Sequence, residues 1–238
     1  MKRFSFWIII SVFTFFLGIC AVLTWLYYDQ KQIVEVEPVT LFDNSCLQSK
    51  SFPGLSKKIS EIQKGKSGHF PKAVFDNSDF FADFYGMYLK SMDEKSLLNF
   101  SNNNREVYRF LWLRSFHHPI FVRIEKTDNS IQIFSKELDG RANGDDSRKV
   151  LRSEKKILDE QQWCIFLRLL EKSEYWKMPN GDKIGRDGAQ WILEGVRENR
   201  YHIVDRWSPG DKSGFGEACV YLLKLSGIDT DKLGDELY

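Results

Sequence analysis

From Phe4 to Tyr28 the chain carries no charged side chain, and the run is almost wholly apolar. A helix crossing the hydrocarbon of a bilayer needs about 20 apolar residues, so residues 4–28 are long enough to form a transmembrane helix. Trp7 lies near one end and Trp25, Tyr27 and Tyr28 near the other, where amphipathic rings favour the headgroup zone. Lys2 and Arg3 precede the run, whereas Asp29, Glu35 and Glu37 outnumber Lys31 after it. Basic flanks stay cytoplasmic, which predicts a short cytoplasmic segment over 1–3 and everything after Tyr28 outside. A cleaved signal peptide shares this basic start, and Gly18-Ile19-Cys20-Ala21 mimics a cleavage site. Such a peptide needs an apolar stretch of only about 7–15 residues. The run here continues past Ala21 to Tyr28, so the reading is an anchor that is kept.

After the run about 210 residues remain, the size of one globular domain. The formal net charge is +1, which supplies no global pull toward nucleic acid, so no nucleic-acid partner is expected. Cys46, Cys164 and Cys219 follow the run, and three exported cysteines do not make a disulfide framework. Cys164 and Cys219 read as buried thiols, with a bridge between the two as the alternative. No CxxC or His/Cys spacing indicates zinc, so the expectation is no metal and no cofactor.

Residues 29–70 read as a tether, with Pro38, Pro53-Gly54, polar clusters and lysines from Lys57 to Lys66. Leu55, Ile59 and Ile62 fall at helical spacing, which predicts one short amphipathic helix inside it. Residues 71–238 read as the folded domain. Phe80, Phe81, Phe84, Tyr85, Tyr88 and Leu89 recur at three- and four-residue steps and predict a helix whose aromatic stripe packs into the core, with Asn77 or Ser78 as its N-cap. Residues 93–100 suggest a further short helix. Val107–Phe116, Ile120–Glu125 and the stretch from Ile131 read as strands, the first apolar on both faces and therefore covered on both. Val150–Ile157 reads as an edge-like strand. Asp159 with Gln162 has the form of a capping box opening a helix through Trp163, Phe166, Leu167 and Leu170. Ala189–Val196 and Tyr201–Trp207 predict a hairpin around Glu198-Asn199, and Phe215 to Leu223 a last helix stopped by Gly227. The class that follows is α+β, with a mostly antiparallel sheet packed by helices, because short turns join neighbouring strands.

Polar groups concentrate on the hairpin: Asp187, Gln190, Glu194, His202, Asp205 and Arg206. A two-residue turn at Glu198-Asn199 would set Trp191 opposite Arg206, Leu193 opposite Val204 and Gly195 opposite His202. Arg206 would then lie over the Trp191 ring, with a carboxylate as its other partner. The ordinary role for such residues is ion pairing and hydrogen bonding within the sheet. The alternative is a polar pocket using Glu194, His202, Asp205 and Arg206. Arg109, Arg114 and Arg123 with His117-His118 make a second cluster, since arginine can clamp a carboxylate or phosphate. Within it, Arg114 and His117 are the binding candidates. Adjacent histidines on a strand point oppositely and do not make a ready metal pair. No GxSxG, HExxH, P-loop or GxGxxG motif is present.

Three stretches, Tyr108-Arg109-Phe110-Leu111-Trp112-Leu113-Arg114-Ser115-Phe116-His117-His118-Pro119, Asp187-Gly188-Ala189-Gln190-Trp191-Ile192-Leu193-Glu194-Gly195-Val196 and Tyr201-His202-Ile203-Val204-Asp205-Arg206-Trp207-Ser208-Pro209, resemble an uncharacterised family of bacterial envelope proteins. The resemblance covers about residues 105–227 and departs at Arg141 to Ser147, where glycine-rich turns are usual. It implies a bacterial source and an envelope setting, with no assigned activity. Anchor, tether and resemblance together predict a single-pass protein of the bacterial inner membrane with a periplasmic domain that binds another protein or an envelope component. Two other readings stay open: an envelope enzyme using His202, Asp205 and Glu194 as acid–base groups, and a membrane-held immunity or inhibitor protein.

Overall fold

The computed structural model describes residues 57–62, 66–71, 74–75, 79–100, 105–142, 148–181, 185–210 and 212–230. The expected membrane span, the Asn77/Ser78 cap and Cys46 lie outside these residues. Among the described residues no helix is long and apolar enough to cross a membrane.

The run from Glu106 to Arg114 forms the central strand, here β4, and apart from Glu106 each of its residues is buried. Alternation sends Tyr108, Phe110 and Trp112 to one face, and Val107, Leu111 and Leu113 to the other. A strand apolar on both faces must lie inside a sheet with cover on each side. Short turns join it to β5 (Ile120–Lys126) and β5 to β6 (Ile131–Leu138), and residues 139–149 connect β6 to β7 (Val150–Leu158). On its other flank come β8 (Ala189–Arg197) and β9 (Arg200–Trp207). A two-residue strand β1 (Lys57–Lys58) pairs with Arg200 and Tyr201. The sheet runs β1-β9-β8-β4-β5-β6-β7 and every pairing in it is antiparallel. The fold class is therefore α+β, with an antiparallel sheet packed by helices.

Glu198 and Asn199 both adopt positive φ, 49° and 58°. That backbone matches the right-handed twist of a two-residue hairpin. The register follows: Trp191 faces Arg206, Leu193 faces Val204 and Gly195 faces His202.

Among the described residues four helices and two 3-10 turns accompany this sheet. Helix α1 (Ile59–Ile62) follows β1, and a small ribbon of β2 (Lys66–Ser67) and β3 (Phe70–Pro71) comes next. Helix α2 (Asp79–Ser91), with the 3-10 turn Leu97–Phe100, covers the Val107 face. Helix α3 (Glu160–Lys172) and α4 (Gly214–Ser226) cover the Tyr108 face. Asp159 caps α3 with Gln162 as a full capping box, and Gly227 ends α4 at φ 86°. Trp163, Phe166 and Trp191 are all buried in the core beneath these two helices.

Three expectations change. The segment taken as a tether to residue 70 enters the fold from Lys57: Ile59 and Phe70 are buried, and Ile59 N–H donates to the Asn199 carbonyl at 3.0 Å. Ile59 lies on the short helix expected within this segment, but neither its spacing nor the lone Phe70 marks packing into the core shared with α2. The aromatic stripe of α2 is only partly core. Tyr85 and Tyr88 are buried, but Phe80 is 67% exposed and stacks on Phe84 at the outer surface. Finally, the reading of Cys164 and Cys219 as two buried thiols holds for Cys219, which is free and buried, and not for Cys164, which is disulfide-bonded to a residue other than Cys219. Cys219 is buried on α4, whereas Cys164 is half-buried on α3.

Candidate functional site

The period of two along a strand decides which polar residues meet. On β8 and β9 it sends Glu194 and Asp205 to the α2 side of the sheet, and His202 and Arg206 to the α3/α4 side. The pocket predicted from all four residues is thus divided by the sheet itself. A sheet face cannot present neighbours in sequence to one solvent space.

On the α2 side the charges run in a line across the strands. Arg109 and Glu194 are cross-strand partners on β4 and β8, both fully buried. Arg109 donates through Nε and Nη2 to Glu194 Oε1, at 2.9 and 2.6 Å, and through Nη1 to the Lys95 carbonyl at 2.7 Å. Tyr201 donates its hydroxyl to Glu194 Oε2 at 2.9 Å. Burial pushes the Glu194 carboxyl above its usual range, and the Arg109 charge and the two hydrogen-bonding partners oppose that push.

Arg123 on β5 sits directly opposite Arg109. Like charges in that position repel, and Glu94, from the loop after α2, offsets the repulsion. Its carboxylate lies 3.6 Å from Arg109 Nη1 and accepts from Arg123 Nε at 3.0 Å. Arg123 also donates to Glu125 and lies over the Phe134 ring at 4.2 Å. Asp205 forms a separate set, accepting from Gln190 Nε2 and, at 3.4 Å, from the Tyr85 hydroxyl. Burial and the Asp205 carboxylate together raise the Tyr85 phenol far above its ordinary range.

On the other side, His202 is 5% exposed, with its ring between Tyr175 at 5.0 Å and Trp176 at 5.8 Å. Its Nε2 is buried with no hydrogen-bond partner among the described residues. Desolvation lowers the imidazole to about 4, against an opposing pull from backbone groups of Tyr175 and Met178. The ring is therefore neutral at ordinary pH. Arg206 donates to the carbonyls of Pro179, Asp205 and Gly181 at 2.8, 2.7 and 2.9 Å. It thereby ties the turn after the 3-10 segment Tyr175–Lys177 to β9, a structural role.

The remaining candidates stand at the end of β4. The Arg114 guanidinium lies 4.1 Å over the Trp112 ring and donates weakly to the His118 carbonyl at 3.4 Å. His117 is half-buried in the turn to β5. Its neighbour His118 is held by Glu137 at 2.8 Å through Nδ1.

Strand alternation within the two motifs was enough to place Glu194 and His202 on opposite faces. Glu94 and Tyr201 were missed, because no local pattern marks which loop acid or strand phenol will reach a buried arginine. Among the described residues no group of three or more His, Cys, Asp or Glu is placed to hold a metal ion. Comparison with models of known protein families and with curated proteins finds no match to this chain.

Proposed function

We propose that this chain is a single-pass protein of the bacterial inner membrane, anchored by residues 4–28, whose periplasmic domain works by binding another protein or an envelope component. The observation that carries the binding reading is the division of the hairpin's polar residues by the sheet. His202 lies under Trp176 on one side, while Glu194 and Asp205 are engaged by Arg109, Tyr201, Gln190 and Tyr85 on the other. An acid and a base must both reach one reacting atom, so these three residues do not form one acid–base set. Glu194 and Asp205 work to lock the sheet to α2 and the loop after it, and His202 packs under Tyr175 and Trp176 on the other face, which leaves the outer surface to make contacts. The external location is supported by the disulfide at Cys164, since such bonds persist in oxidising compartments.

Reporter fusions after Gln30 test the placement. An export-dependent reporter should be active there and a cytoplasm-dependent one silent; the opposite pattern would overturn the topology. Glu194→Gln and His202→Gln test the binding reading in the intact chain. Both should lower stability, and neither should abolish a chemical turnover measured at saturating substrate in envelope fractions. Loss of such a turnover with folding intact would return these residues to catalysis.

A further inference from the structure

We infer that the outer edge of β7 is a docking edge for an acidic, extended segment of another protein, which would add to the sheet as a further strand. The inference rests on the proposal that the domain is a binding module, and it names the surface that binds.

Among the described residues the sheet ends at β7, nine residues long and paired on one side by β6. The opposite end of the sheet is closed over Arg200 and Tyr201 by β1. A long open edge presents unpaired backbone donors and acceptors that a partner strand can satisfy. Its side chains add a second observation. Leu151 and Ile157 project from the same face of β7 and are 55% and 78% exposed. On that face the neighbouring β6 shows half-exposed Gln132, Phe134 and Lys136, so the sheet there is open as well.

Charge selects the occupant. Between Arg148 and Leu158 stand Arg148, Lys149, Arg152, Lys155 and Lys156 against the single acid Glu154. Lysines alone protect an edge from casual pairing. On β7, Leu151 and Ile157 share one face with Lys155 whereas Arg152 and Lys156 lie on the other, so a strand carrying apolar residues on one face and acids on the other would match it. A second copy of this chain fits badly, because antiparallel edge pairing centred on Glu154 would set Arg152 against Lys156 and Glu154 against its own copy, and like charges directly opposite are destabilising.

The test uses the full chain in detergent and two extended nine-residue peptides, one alternating Glu with Val and the other alternating Lys with Val. The Glu/Val peptide should bind at millimolar concentration or better, and hydrogen exchange should show new protection of the amides of residues 150–158. Binding should weaken about tenfold in Arg152→Glu/Lys155→Glu, which should now take the Lys/Val peptide. Lys155 is exposed and Arg152 is half-buried with Glu154 3.5 Å from its Nε, so circular dichroism should show the double variant folded, and Lys155→Glu alone repeats the comparison if the double variant melts early. Failure to bind the Glu/Val peptide, equal binding of both peptides, protection elsewhere, or a dimer that the charge reversal abolishes would each overturn the inference. The peptide assay reads β7 wherever the domain resides, so its failure is separable from a failed topology test.

Discussion

A histidine buried without a partner for one ring nitrogen makes folding sensitive to acid. The His202 imidazole is held down at about 4 from an ordinary value of 6.5. Between those values the unfolded chain binds a proton that the folded chain does not. Its contribution to stability is complete above about pH 6.5 and is lost as the pH falls toward 4, by about 1.4 kcal/mol per pH unit. Urea unfolding across that window should show the slope, and His202→Gln should flatten it relative to wild type; identical slopes would mean the ring protonates freely in the folded state. The Arg109–Glu194 pair makes a different demand. Removing one partner of a fully buried pair strands the other charge, so Arg109→Met should cost about 3–5 kcal/mol, measured by denaturant midpoint. A midpoint unchanged by that substitution would show that the ladder from Tyr201 to Arg123 does not hold β8, β4 and β5 to α2.

Among the secondary elements, the hairpin of β8 and β9 depends on a position with no side chain. Gly195 faces Tyr108 across one pairing and His202 across the other. A Cβ there would stand 2.8 Å from the Tyr108 ring and 3.1 Å from the Tyr175 hydroxyl. Both rings are fully buried and cannot swing away. Gly195→Ala should therefore destabilise by about 1–3 kcal/mol through overpacking, whereas the same change at Gly86, where the nearest atom is 3.6 Å away, should not. Comparing the two melting temperatures checks the argument. Element types were largely readable beforehand: the Asp159/Gln162 box, the Glu198-Asn199 turn and the Gly227 stop are local signals, and each sits where the structure uses it. The short helix at Ile59 was readable from its spacing with Leu55 and Ile62, but the burial of Ile59 and Phe70 was not, since it depends on α2 sharing their core.

For the whole molecule, the state of the cysteines bears on where the domain lives. Burial raises the Cys219 thiol well above its ordinary range and keeps it unreactive. Cys164 is already oxidised. A non-reducing peptide map of protein from membranes should show Cys164 in a disulfide-linked peptide, with Cys219 alkylated only after unfolding. Reduction should lower stability by about 2–5 kcal/mol. Recovery of Cys164 as a free thiol from intact cells would remove the support for an oxidising compartment.

Sequence alone determined the longer helices, the strands from β4 to β9, the hairpin register and the antiparallel α+β class, because capping, turn geometry and apolar period act over a few residues. The strand β1, the β2–β3 ribbon and the 3-10 turn Tyr175–Lys177 carried no such signal. The proposed membrane anchor rests on the sequence as well, in the uncharged run from Phe4 to Tyr28. Only the tertiary structure decided what the polar residues do. Glu94 reaches Arg109 and Arg123 from a loop distant in sequence, and Trp176 covers His202 from the turn after α3. Partnership between such residues is set by the packing of α2, α3 and α4 on opposite faces of one sheet. No short-range pattern encodes that packing, which emerges when apolar burial on both faces is satisfied at once.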